Sequence, residues 1–321
     1  MLKKATLKKH LRVVLKNFAL PMFLVAILTS GSASAQLGGH HILGDSGLQS
    51  ASQPPPGFYV SGMFHNYHTS EIKNRFGDPL PGEGTLNLGF FVPAVSMVTP
   101  IKILGANYGF LVSFPFSATR LELPRLDVED SLSGYTDMYL RPIELGWHPK
   151  AADILLGYGF YAPTGRFEPG ADDNTGLGMW SHELLAGATV YFDEAKKWHL
   201  SGTGFYETHA RNKDLDTKVG GIFTVEGGLG RTLFGGLGNL GIAYYGQWKV
   251  TDDEIPNLPS LITLGKNRVQ GVGPEIGAPI PLGTDGVLLL GFRYLWEFDA
   301  RSNTQGQTLN FTVTLPLAQF Q

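Results

Sequence analysis

The chain of 321 residues contains no cysteine, so no disulfide braces it. An exported protein of that size without disulfides needs a large core or a closed sheet. Charge is sparse, at 17% of residues, and basic residues are not in excess, 25 Lys and Arg facing 28 Asp and Glu. Six of the 25 fall within the first 35 positions and none of the 28 do, which leaves 19 against 28, about −9, from Gln36 onward. That sign argues against a nucleic-acid partner, which requires a basic face. Beyond residue 35 there is no apolar run of the roughly 18 residues that a membrane helix needs. Glycine and aromatics are plentiful: 42 Gly, 20 Phe and 12 Tyr. Both suit many strands joined by tight turns.

The start of the chain reads as an export signal. Lys3, Lys4, Lys8, Lys9, Arg12 and Lys16 precede the apolar run Phe18 to Leu28, and small residues then end in Ala33-Ser34-Ala35-Gln36. Basic, then apolar, then small is the order of a signal peptide, so residues 1–35 are expected to be removed after Ala35. Residues 36–56 are rich in Gly, Ser and Pro and end Pro54-Pro55-Pro56-Gly57. They are expected to form either a disordered leader or a plug folded inward.

From Gly57 to the end, twelve segments alternate with period two, near 57–69, 84–95, 101–116, 133–147, 153–166, 179–193, 197–209, 218–232, 239–251, 266–278, 286–299 and 305–317. Such alternation puts successive side chains on opposite faces. In 286–299, Leu288, Leu290, Phe292, Tyr294, Trp296 and Phe298 share one face, while Arg293, Glu297 and Asp299 share the other. A soluble sandwich gives the same pattern. Three features favour a transmembrane barrel. Aromatics gather at segment ends, with Trp147, Trp180, Trp198, Trp248 and Trp296 expected in the two membrane-interface girdles. Connections alternate in length, long and polar at 70–83, 117–132, 167–178, 210–217 and 252–265, short at His148–Ala152 and Glu194–Lys196. The strand count is even. The expected fold is therefore all-β, an antiparallel up-and-down barrel of about twelve strands over 57–321, in the outer membrane of a Gram-negative bacterium.

Several short motifs resemble a known family. They include His41-Ile42-Leu43-Gly44, Gln53-Pro54-Pro55-Pro56-Gly57-Phe58-Tyr59, Asp137 with Pro142 and Leu145-Gly146-Trp147, Tyr161-Ala162-Pro163-Thr164-Gly165, Tyr206-Glu207, Gly273-Pro274, and Glu297-Phe298 with Arg301. Their order resembles the "putative meta-pathway of phenol degradation" family over nearly all of 40–317, and more loosely the larger long-chain fatty-acid and aromatic hydrocarbon channels. The resemblance implies an outer-membrane barrel for uptake of hydrophobic or aromatic compounds. It implies no enzyme activity and no cofactor.

The remaining motifs carry weaker chemical signals. Gly227-Gly228-Leu229-Gly230 and Gly235-Gly236-Leu237-Gly238 lack the lysine and the strand-to-helix setting of a phosphate loop, so strand crowding and turns explain them better. His40-His41 could hold a metal loosely, but ligands usually need more convergent partners, and no metal site is expected. A lipid hydrolase needs Ser, His and an orienting group within reach, and no strand offers an outward polar triad. Charges on the inward faces are expected at Asp137, Arg141, Glu183, Glu207, Glu226, Lys249, Arg268, Arg293 and Glu297. They either cross-brace a narrow barrel or form a selective constriction. Phe91, Leu111, Leu155, Tyr161, Phe205 and Tyr245 are expected to add an apolar lining. The function expected is passive passage of small hydrophobic or aromatic solutes. The alternatives are a closed structural or adhesive barrel and, less favoured, a lipid hydrolase. Expected partners are outer-membrane lipid, the solute and, during biogenesis, the barrel-assembly machinery.

Overall fold

The computed structural model describes residues 38–82, 84–124, 128–169, 171, 173–255, 266–283 and 286–320. The proposed signal, residues 1–35, lies outside them. No helix among the described residues is long and apolar enough to cross a membrane.

The strands are β1 (Gly57–Lys73), β2 (Thr85–Ile103), β3 (Ala106–Ser113), β4 (Phe116–Leu123), β5 (Val128–Tyr135), β6 (Met138–Trp147), β7 (Ala152–Ala162), β8 (Ser181–Tyr191), β9 (Trp198–His209), β10 (Ile222–Leu233), β11 (Gly238–Lys249), β12 (Arg268–Leu282), β13 (Gly286–Arg301) and β14 (Asn303–Gln319). They form one antiparallel sheet. β1 pairs with β14 on one side and β2 on the other, which closes the ring. β3 and β4 pair with successive stretches of β2, so together they fill one wall position. β5 and β6 likewise share the next position against them. The wall is thus a closed barrel of twelve strand positions, and closure satisfies the backbone groups that lipid cannot.

One expected loop is in fact strand. Residues 117–132, read as a polar connection, mostly belong to the β4–β5 hairpin, with Phe116 opposite Tyr135 and Leu121 opposite Asp130. The hairpin carries Glu122, Glu129 and Asp130. Beyond the lipid a strand needs no apolar outer face, so the alternation that marks the other strands fades there.

The two ends of the barrel differ. One carries the entry to β1 and the tight turns at Leu104-Gly105 and Phe234–Leu237; the other carries long connections such as 163–180 and 210–221. These are called here the turn end and the loop end. The outward faces are apolar: Leu184, Ile242, Phe292 and Leu240 are 45–57% exposed. Trp147 and Trp198 stand at the turn end, Trp180 and Trp248 at the loop end, and Trp296 lies a few residues inside the loop end of β13. Trp180, Trp198 and Trp296 are exposed.

Candidate functional site

The inward faces do not enclose an empty tube. Residues 38–56 run inside the barrel from near the loop end to the turn end, where Phe320 N donates to Pro56 O. The segment has no periodic pattern of its own. It is held by complementary groups on the wall, one stretch at a time.

Glu207 of β9 accepts from the backbone N–H of His40 (2.7 Å) and of His41 (3.2 Å). The His40 ring lies between Ser181 Oγ (2.8 Å) and Asp137 Oδ2 (2.9 Å). The His41 ring lies between Glu183 Oε2 (2.9 Å) and Glu226 Oε1 (3.2 Å). Glu226 also accepts from Gly44 N (2.7 Å) and Ser46 N (2.8 Å). Glu183, Glu207 and Glu226 are each at most 2% exposed. A buried carboxylate is costly unless it is paired and hydrogen-bonded, and each of these three is both.

Lower in the lumen the anchors become apolar. Leu48 has no exposed surface. A Cβ at Gly228 would come within 2.6 Å of its side chain, one at Gly241 within 2.9 Å and one at Gly230 within 3.0 Å. The glycines of β10 and β11 therefore form a socket for Leu48, a specific reason for the crowding read in the sequence. Ala51 packs with Leu155, Leu185 and Phe205. Gln53 Nε2 donates to Glu144 (3.1 Å), and Arg141 pairs with the same carboxylate at 2.9 Å. Arg293 pairs with Glu275 at 2.6 Å and donates to the carbonyl of Gly44.

Above the segment, toward the loop end, lies a cavity of about 370 Å³. Its floor includes Gly38 to Leu43 and Asp45. One side is apolar: Met63, Leu86, Leu88, Phe90, Val92 and Leu132. Asp137, Tyr139, Arg141, Tyr161 and Glu183 flank that wall toward β6–β8, and Glu297 of β13 flanks it beyond β1 and β14. Glu297 accepts from Tyr245 (2.7 Å), Tyr67 (2.8 Å) and Gly306 N (2.6 Å).

Of the charges expected inside, Asp137, Glu183, Glu207, Glu226 and Arg293 are buried against the inner segment, and Arg141 and Glu297 border the cavity. Lys249 is buried beside Asp253 at the loop end, 2.7 Å away. Arg268 is not inward. Unbroken pairing with β11 sets it opposite outward Trp248, and it pairs with Asp299 at 2.7 Å on the outer rim, while its neighbour Val269 takes the lumen. Phe91 is a second correction. Register with β1 sets Phe90 beside buried His65 and Phe91 beside Phe64, so Phe91 is 40% exposed on the outer face. Two adjacent phenylalanines leave the parity open in the sequence. Tyr161, Phe205 and Tyr245 are buried, and Leu111 sits opposite Arg141 on the inward parity of β3. Sequence reasoning missed Leu48, Gln53, Glu144 and Glu275, each of which meets a partner far along the chain.

Two constellations invite a chemical reading. Ser181, His40 and Asp137 form a hydrogen-bonded chain, but Ser181 has no exposed surface. His40 Nδ1 also lies 3.5 Å from Glu207, so this serine faces no substrate and its histidine is engaged by a second carboxylate. His41, Asp45 and Glu226 bring one ligand atom each within 4.8 Å of one another. Both ring nitrogens of His41 are already engaged, and Glu226 accepts three donors, so the group is satisfied as it stands.

The COG4313 outer membrane channel from Pseudomonas putida F1 matches with a TM-score of 0.71 at 13% identity, over 86% of this chain and 99% of that one. The beta domain of the Bordetella autotransporter BrkA follows at 0.44, with 12% identity over 82% and 100% of the two chains. The Pseudomonas putida toluene transporter TodX matches at 0.39, with 10% identity over 89% and 95%. No curated protein matches in sequence. The closed barrel is that of an outer-membrane protein of Gram-negative bacteria. A family model described as "Putative MetA-pathway of phenol degradation" matches residues 69–313, most of the barrel, and the chain belongs to that family.

Proposed function

We propose that the protein is a passive outer-membrane channel for small hydrophobic or aromatic compounds, with no enzymatic step. The observation that carries this reading is the cavity at the loop end, walled by Leu86, Leu88, Phe90 and Val92 and about 370 Å³ in volume. An apolar cavity of about 150 Å³ takes a benzene ring, so this one has room for a substituted aromatic. The lumen of a general porin is wetter throughout. The loop end faces outward, so the cavity meets solute arriving from the medium. Residues 38–56 act as an internal plug beneath it, and passage requires the plug to shift. The buried Ser181 and the doubly engaged His40 support a non-enzymatic role.

Uptake of labelled monoaromatic compounds into intact cells tests this, because the lipopolysaccharide leaflet slows their passage through lipid. Cells carrying the protein are expected to show faster, saturable uptake than cells lacking it. A Phe90→Asp variant is expected to lose the gain. A folded barrel in the outer membrane that speeds no solute overturns the proposal and leaves a closed structural barrel.

A further inference from the structure

The cavity is lopsided in charge. Asp45, Asp130, Asp137, Glu183 and Glu297 line it, and Arg141 is the one Lys or Arg side chain among its described lining residues. Asp137 and Glu183 are turned to the inner segment by His40 and His41. Glu297 differs. Its donors are two tyrosine hydroxyls and a backbone N–H, all neutral. Three donors on two oxygens leave further acceptor capacity on the carboxyl group.

A second polar group stands beside it. Thr308 is 1% exposed, lines the same cavity, and its hydroxyl has no hydrogen-bond partner. Thr308 is the register partner of Tyr67, which donates to Glu297. The orphan hydroxyl and the carboxylate are thus both neighbours of one tyrosine, and Leu88 of the apolar wall pairs with that tyrosine from its other side. A buried polar group left unpaired is destabilising, and a bound partner removes that cost.

We infer that Glu297 and Thr308 form a polar recognition end in the cavity, which favours aromatic solutes bearing a hydroxyl or ammonium donor and disfavours aromatic carboxylates. This rests on the channel reading above. The ring lies against the apolar wall. The donor group gives its proton's hydrogen bond to Glu297, and a hydroxyl can also accept from Thr308. A solute carboxylate in the same place meets like charge and supplies no donor.

The test is competition for uptake in intact cells, with labelled toluene as tracer and unlabelled benzyl alcohol, benzylammonium and benzoate as competitors. Benzyl alcohol and benzylammonium are expected to compete at concentrations about tenfold lower than benzoate. Glu297→Gln keeps the shape and removes the charge, and is expected to erase most of the difference between benzylammonium and benzoate. Thr308→Val is expected to weaken benzyl alcohol alone, and Thr308→Ser to restore it. Heat-modifiable electrophoretic mobility identifies folded barrels, so a variant that fails to assemble is replaced by the other. Equal competition by all three, unmoved by either substitution while toluene uptake persists, overturns the inference and leaves the channel reading intact. Absence of saturable toluene uptake removes that reading and the inference with it.

Discussion

The two sides of the lumen are built on different terms. Along β8, β9 and β10 the inward residues alternate sharply with exposed ones, and Glu183, Leu185, Thr203, Phe205 and Glu226 are at most 4% exposed. Residues 38–56 cover that wall. Along β2 the inward residues Leu86, Leu88 and Phe90 are only half-buried and face the cavity. The covered wall is rich in carboxylates, and the open wall is apolar. This is the reverse of a soluble protein, where the apolar face is the covered one. The carboxylates serve as acceptors for a segment that has few secondary-structure bonds of its own, and whose N–H groups must be satisfied inside the lumen. The open wall has no such donors to meet, so it needs no carboxylates and can be apolar.

If that contrast is right, substitutions on the covered wall should loosen the inner segment and leave the cavity side intact. The largest effect is expected from Glu226→Ala. It strips the acceptor from His41, Gly44 N and Ser46 N at once. Removing one partner from such a buried network costs about 3–5 kcal/mol. The readouts are faster hydrogen exchange at residues 41–48 and a rise in single-channel conductance. Unchanged exchange would break the comparison, because the wall carboxylates would then not be what seats the segment. Leu48→Ala follows. It empties the socket of Gly228, Gly230 and Gly241, and is expected to cost about 2–5 kcal/mol in the stability of the seat. Exchange should quicken around residue 48 with less change at His40 and His41. A uniform change would mean that the segment opens as one unit.

The alternation of β9 to β14 was legible because lipid on one side and a polar lumen on the other impose a period of two. Where that contrast ends, so does the signal. The β4–β5 hairpin stands among acidic residues and read as a loop. Where both neighbours are alike, as at Phe90 and Phe91, parity is undetermined until β1 sets the register. At Arg268 the alternation of β12 is unbroken, but with so many glycines in the strand its parity is fixed only by pairing with β11, which sets Arg268 beside outward Trp248. The seat of the inner segment was the least visible. His41 meets Glu226 across 185 positions, and Leu48 meets glycines whose own sequence, Gly227-Gly228-Leu229-Gly230, looks only like crowding. Glu183, Glu207 and Glu226 could be picked as inward charges, but not the chain they hold.

The smallest effect is expected at the turn end of the covered wall, and it sharpens the comparison by separating the seat from its scaffold. Asp193, in the β8–β9 turn, accepts from Trp198 N (2.7 Å) and from Lys197 N (3.1 Å). These backbone donors favour its ionised form and hold its pKa below the ordinary aspartate value. A group whose pKa is lowered on folding stabilises the fold above its unfolded value, and that contribution is lost as the pH falls through the folded value. Asp193→Asn should therefore lower thermal stability slightly at neutral pH. The difference from the parent should fade once the pH drops below the ordinary aspartate range. Thermal unfolding followed by electrophoretic mobility across pH reads this directly. Hydrogen exchange of residues 38–46 should not change, because the carboxylates that hold them, Glu183, Glu207 and Glu226, lie toward the loop end, away from the turn. A faster exchange there would show that the seat depends on the turn that joins its two strands as well as on the side chains it meets.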